Sequence, residues 1–117
     1  MVQVFGHPKC KGTRAALRFF SERRVQVQSI DLHDKGMSKG ELDSVARALS
    51  IEALYDAGGA RAKERGLTHL GPDKARIQSL LLEDPRLFRT PIVRRGPKAS
   101  VGLDEPAWKA FAEAERG

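Results

Sequence analysis

The chain of 117 residues contains one cysteine, one tryptophan and one tyrosine, and no apolar run approaches the ~20 residues of a membrane span. A single cysteine excludes an internal disulfide and a C-x-x-C redox pair; Thr13 stands where a second cysteine of such a pair would be. No basic segment followed by an apolar stretch opens the sequence, and with the lone thiol this leads us to expect a cytoplasmic protein. His33 and His69 share no ligand spacing, so no metal site is expected. There is no internal repeat and no low-complexity segment. Gly58-Gly59 and Gly71-Pro72 read as turns, since neither follows a strand in the way a phosphate-binding loop requires.

What is present is basic charge, unevenly spread over a formal net charge of +6. Residues 1–24 carry six lysines and arginines against one glutamate, and residues 86–98 carry five against no acid. Without a basic stripe interleaved with aromatics, or helix-turn-helix or zinc-finger spacing, this distribution argues against DNA as a partner. Two distant basic windows instead suggest a pocket for a small anion, provided the fold brings them together. The size suits one domain, 1–117, with a core needing no covalent staples.

Along the chain, Val2 to Phe5 reads as a short strand, followed by a tight turn with Gly6 and Pro8 and then by Cys10. From Thr13 to Arg24 no glycine or proline interrupts a helical pattern with Ala15, Ala16, Leu17, Phe19 and Phe20. Val25 to Leu32 reads as a second strand, both faces partly covered near Ser29. Ser38 and Glu41 form a capping box ahead of Leu42, Val45, Ala46 and Leu49 at helical spacing. The stretch from Ser50 to Pro72 is less regular, with a break at Tyr55–Gly59 and a short helix over Ala60–Arg65 ended by Gly66. Gly71-Pro72-Asp73 opens a further helix that buries Ile77, Leu80 and Leu81 and stops before Pro85. Ile92–Arg95 and Ala99–Gly102 flank Gly96-Pro97 as a hairpin. Asp104 caps a last helix with Trp108, Phe111 and Ala112 inward. The order β-α-β, helices, β-β-α predicts an α/β protein: a mixed four-stranded sheet of the thioredoxin-like kind, with a helical insertion at about 38–84.

The chemistry centres on Cys10. A lone cysteine is commonly buried and inert. Here it follows a glycine- and proline-containing turn and sits at a helix start, where unpaired N–H groups and the helix dipole favour a negative charge. His7, Lys9, Lys11 and Arg14 add positive charge, so we read a reactive thiol of lowered pKa. Arg14, one helical turn further on, is in reach of a thiolate or a bound oxyanion. His7 either holds a proton or caps the turn, and Arg89 is a candidate anion-binding group. Of the neighbours Arg94 and Arg95, at most one can face a pocket. With no second cysteine, an oxidised or adducted Cys10 has to be resolved by an outside thiol, glutathione-like, or by a redoxin. No bound cofactor is expected.

The residues also resemble a known family. The run His7-Pro8-Lys9-Cys10 with Arg14; Ile30-Asp31-Leu32 followed by Ser38-x-x-Glu41-Leu42; Leu80–Pro85; Phe88-Arg89-Thr90-Pro91-Ile92-Val93; and Val101-Gly102 with Trp108 together are similar to the arsenate reductase/Spx-like branch of the thioredoxin superfamily. The resemblance implies a nucleophilic Cys10, a cis Pro91 and a Thr90 placed across from the thiolate. It implies an oxidoreductase that forms a mixed adduct on Cys10, with catalytic Cys10 and Arg14 and a substrate site of His7, Lys11, Arg89, Thr90 and Pro91. It also implies a fold that carries the window Arg86–Arg95 towards Cys10. The glutathione-coupled members carry a histidine four residues before the cysteine and arginines where Gly58 and Val101-Gly102-Leu103 stand here, which argues against arsenate itself as substrate. Arg61 and Arg65 are the nearest candidates to replace the first of these. The alternative is a non-enzymatic Spx-like regulator that binds RNA polymerase.

Overall fold

A computed structural model describes residues 1–67 and 73–117. The sheet has four strands in the order β2-β1-β3-β4, formed by Val2–Gly6 (β1), Val27–Asp31 (β2), Ile92–Arg95 (β3) and Lys98–Val101 (β4). β2 runs parallel to β1, while β3 is antiparallel to both β1 and β4. This is the mixed sheet expected from the element order.

Alternation along β1 sends its side chains to two different cores. Val2 and Val4 pack with Val93, with Ala16, Phe19 and Phe20 of α1 (Lys11–Glu22), and with Trp108, Phe111 and Ala112 of α6 (Glu105–Arg116). Phe5 faces the other way, into a core with Ile92 and Leu32. The helices between β2 and β3 complete that second core: α2 (Lys39–Ala48) adds Leu42 and Val45, α3 (Ile51–Leu54) adds Leu54, α4 (Ala60–Glu64) adds Ala62, and α5 (Lys74–Glu83) adds Ile77, Leu80 and Leu81.

The helix starts follow the capping residues. Ser38 and Glu41 close a reciprocal capping box at α2, Asp73 accepts from the Arg76 N–H at α5, and Asp104 accepts from the Ala107 N–H at α6. Three expectations need correction. The second strand begins at Val27 instead of Val25, because the Val25 N–H is spent on the Phe20 carbonyl where α1 ends. Gln28 and Ser29 are exposed, since β2 is an edge strand with little covering it. Within the irregular stretch from Ser50, a short helix α3 forms, capped by the Ser50 hydroxyl on the Ala53 N–H. The expected opening at Gly71-Pro72, like His69, lies outside the described residues. Among the described residues, no helix is long and apolar enough to cross a membrane.

The topology gathers one functional edge. Because β1 and β2 are parallel and β3 is antiparallel to β1, the end of β1, the end of β2 and the start of β3 lie together. They carry respectively the His7–Cys10 turn, Asp31 with His33, and Thr90-Pro91. The end of β4 joins them: the Gly102 N–H donates to the Pro91 carbonyl (2.9 Å).

Candidate active site

Cys10 is the N-cap of α1. The turn before it is closed by its own N–H on the His7 carbonyl (2.9 Å), and its carbonyl accepts the first helical bond, from the Arg14 N–H (3.1 Å). Opposite stands Thr90, joined to Pro91 by a cis peptide bond, with its hydroxyl donating to the Cys10 Sγ at 3.2 Å. Thr13, 3% exposed inside the first turn of α1, accepts from the His7 N–H (3.2 Å).

These contacts determine the acidity of the thiol. Burial alone would push the Cys10 pKa up, but hydrogen bonds from the Thr13 and Thr90 hydroxyls and from the Thr13 and Gly12 backbone N–H groups outweigh it, and the pKa lies below the ordinary thiol value. Neutral donors thus favour the thiolate form of the half-buried sulfur. The helix start contributes as read from the sequence, whereas the expected charged neighbours are not among the leading causes.

Two glycines permit this packing. A Cβ on Gly12 would stand 2.8 Å from Pro91 Cδ, so only glycine lets the first turn of α1 lie against the proline. A Cβ on Gly6 would collide with the Thr13 side chain. Neither constraint leaves a periodicity signal. Thr13 drew notice in the sequence only as a missing cysteine.

The arginines distribute differently from the expected shared pocket. Arg14 donates to the Pro8 carbonyl (3.3 Å), and Arg89 donates to the Tyr55 carbonyl (3.5 Å). Arg94 reaches Gln3 (3.3 Å) and Arg95 the Glu115 carboxylate (2.7 Å), so neither of this pair faces the sulfur. The reason is strand alternation: Arg94 and Arg95 continue β3 past the site, one on each face of the sheet. Lys11 is exposed at the first helical position. Arg61 and Arg65 both bind Asp84, at 2.6 Å and 3.2 Å. Burial raises the Asp84 pKa, but these two guanidiniums and the Arg86 N–H hold the carboxyl below its usual range.

Beside Thr90 opens a cavity of about 330 Å³ lined by His7, His33, Asp56, Arg61, Arg86 and Phe88 among others. The His7 and His33 rings stack at 3.7 Å. The His7 Nδ1 is buried, and its nearest acid, Asp31 Oδ1, stands at 3.9 Å, too far for a hydrogen bond. Desolvation, His7 and Arg86 together lower the His33 pKa against the opposing pull of Asp31 and Asp84. Asp56 and His33 are not among the site residues expected from the sequence, and Arg86 enters there only as the first member of the basic window Arg86–Arg95; the ends of β1 and β2, the segment after α3 and the turn after α5 bring them together. No cluster of three or more metal-ligating side chains occurs among the described residues.

A mixed sheet whose first helix starts at a thiol facing a cis-proline is a thioredoxin-like fold. Solved structures agree: the chain superposes on an arsenate reductase from Vibrio cholerae with a TM-score of 0.80 at 21% identity, covering 93% of this chain and 95% of that one. A putative ArsC family related protein from Bacteroides fragilis gives 0.82 at 18% identity, covering 94% and 96%. In sequence, an arsenate reductase of Neisseria meningitidis serogroup A is 27% identical over 104 residues, covering 86% of this chain and 89% of that protein. The profile of the ArsC family matches residues 5–111. The chain belongs to the ArsC family.

Proposed function

We propose that this protein is a single-cysteine thiol oxidoreductase with Cys10 as nucleophile. The observation that carries the reading is the Cys10 sulfur itself: half-buried, at a helix N-cap, and bonded by the Thr90 hydroxyl at 3.2 Å. The thiolate attacks one sulfur of an oxidised disulfide, the Cys10–sulfur bond forms, and the other sulfur leaves as a thiolate. A thiolate from outside, of a glutathione-like molecule or a redoxin, then attacks the adducted sulfur and releases Cys10 unchanged. Hydroxyls of Thr13 and Thr90 stabilise negative charge on the Cys10 sulfur before attack and again on its release. Lys11 and Arg14, on the first turn of α1, add a positive field at the mouth that favours anionic substrates.

Arsenate is the less favoured substrate. Arg14, Arg61, Arg65 and Arg89 each give at least one guanidinium N–H to an oxygen of the protein, which leaves fewer donors for an oxyanion at the sulfur.

Incubation with oxidised glutathione at pH 7 is expected to give a single mixed-disulfide adduct on Cys10 by mass spectrometry, reversed by added thiol and absent from Cys10→Ser. A thiol that stays unmodified under these conditions overturns the reading. Full biological function in Cys10→Ser would favour the partner-binding alternative, an Spx-like regulator of RNA polymerase.

A further inference from the structure

We propose that the cavity beside Thr90 is a subsite for the zwitterionic amino-acid end of a small thiol or disulfide, with Arg86 taking its carboxylate and Asp56 its ammonium. The inference rests on the reading of Cys10 as the nucleophile and adds what that nucleophile selects.

The cavity wall carries charge of both signs that is unpaired among the described residues. Arg61, also on the cavity wall, is committed to Asp84 and Glu64. Arg86 and Asp56 line the same space, yet they form no salt bridge with each other, and among the described residues neither side chain has an ion-pair partner. Two opposite charges on one concave wall, Arg86 exposed and Asp56 half-buried, are complementary to a ligand carrying both signs. They would serve a purely anionic or purely cationic one less well. The volume, about 330 Å³, has room for an amino-acid head group but leaves most of a larger molecule outside.

Neighbouring groups sharpen the selection. The stacked rings of His7 and His33 form a further part of the wall. Phe88 supplies an apolar wall. Thr90 belongs to both places, lining the cavity while its hydroxyl bonds the Cys10 sulfur. A disulfide whose head group occupies the cavity therefore has its sulfur end directed past Thr90 to the nucleophile. The exchange needs no further reactant: the Cys10 thiolate bonds to one sulfur of the disulfide, and the second sulfur departs with the electron pair of the broken bond.

The test compares two disulfides by the rate at which each adducts Cys10: oxidised glutathione, which carries amino-acid head groups, and neutral bis(2-hydroxyethyl) disulfide. Wild-type protein is expected to prefer oxidised glutathione. The ratio of the two rates should fall about tenfold in Arg86→Gln and comparably in Asp56→Asn, the loss of one charge-assisted contact each. Arg86→Lys keeps the charge and should recover part of the ratio. Cystamine, which offers only ammonium groups, should be penalised by Asp56→Asn and not by Arg86→Gln. If both disulfides react and neither substitution changes the ratio, the subsite is overturned while the nucleophile stands. If neither disulfide reacts with the wild type, the nucleophile falls and the subsite with it.

Discussion

At the scale of single residues, the thiol owes its acidity to hydroxyls. Thr90→Val removes one donor and keeps the shape of the side chain. The Cys10 pKa should rise, and alkylation by iodoacetamide at pH 7 should slow by roughly twofold to tenfold, the worth of one hydrogen bond of about 0.5–1.5 kcal/mol. The sign carries over to stability. A folded-state pKa below the unfolded one means that the thiolate adds stability fully above the unfolded value, about 8.5, and loses it as pH falls through the folded value. The difference in urea midpoint between wild type and Cys10→Ser should therefore widen in favour of wild type as pH rises through that interval. Cys10 was legible as a reactive residue because its signal is local: a turn, a helix start, one sulfur. Its donors were not. Thr90 entered only through the family resemblance, and Thr13 is an ordinary helix residue until the chain folds.

At the scale of elements, the contact between α1 and the Thr90-Pro91 loop is controlled by the missing side chain at Gly12. Gly12→Ala would ordinarily favour a helix by up to about 1 kcal/mol. Here the added methyl group meets the proline ring at 2.8 Å, and overpacking of this kind costs about 1–3 kcal/mol. The clash outweighs the propensity, so the variant should unfold at lower urea concentration and react more slowly at Cys10. A second junction is Asp84, which ties α4 through Arg61 and Arg65 to the end of α5. Removing this buried carboxylate by Asp84→Ala leaves Arg61 and Arg65 only their outer partners Glu64 and Glu83 and should lower stability, seen as a lower urea midpoint. Since its pKa is depressed, its contribution is present above about pH 4 and is lost as pH falls through the folded value, whereas Asp84→Asn should flatten that acid limb of the stability profile. Element starts were readable wherever a side chain caps them, as at Ser38, Asp73 and Asp104. The destinations of the arginines were not, because a long side chain finds whichever carbonyl or carboxylate the tertiary fold leaves within reach. Arg89 ends on Tyr55 and Arg95 on Glu115, pairings that no sequence spacing announces.

At the scale of the whole molecule, the sheet divides the apolar interior in two, and Trp108 is the largest side chain wholly buried on the α1/α6 side. It meets Phe19 edge-on at 5.6 Å, joining the first helix to the last. Trp108→Ala should destabilise by about 3–5 kcal/mol in denaturant titration. Trp108→Phe should cost markedly less, since the indole N–H has no hydrogen-bond partner to lose. This level was the most legible of all: the element order, the caps and the hairpin pointed to one sheet topology, and the ArsC family match runs over residues 5–111. The bond from Thr90 to Cys10 links residues 80 positions apart. An unfolded chain cannot hold that pair together, so its sulfur would titrate like any free cysteine. The protein thus carries a built-in gauge of its own folding: an alkylating dye at mildly acidic pH should label assembled molecules faster than denatured ones, the reverse of the usual experience with buried thiols.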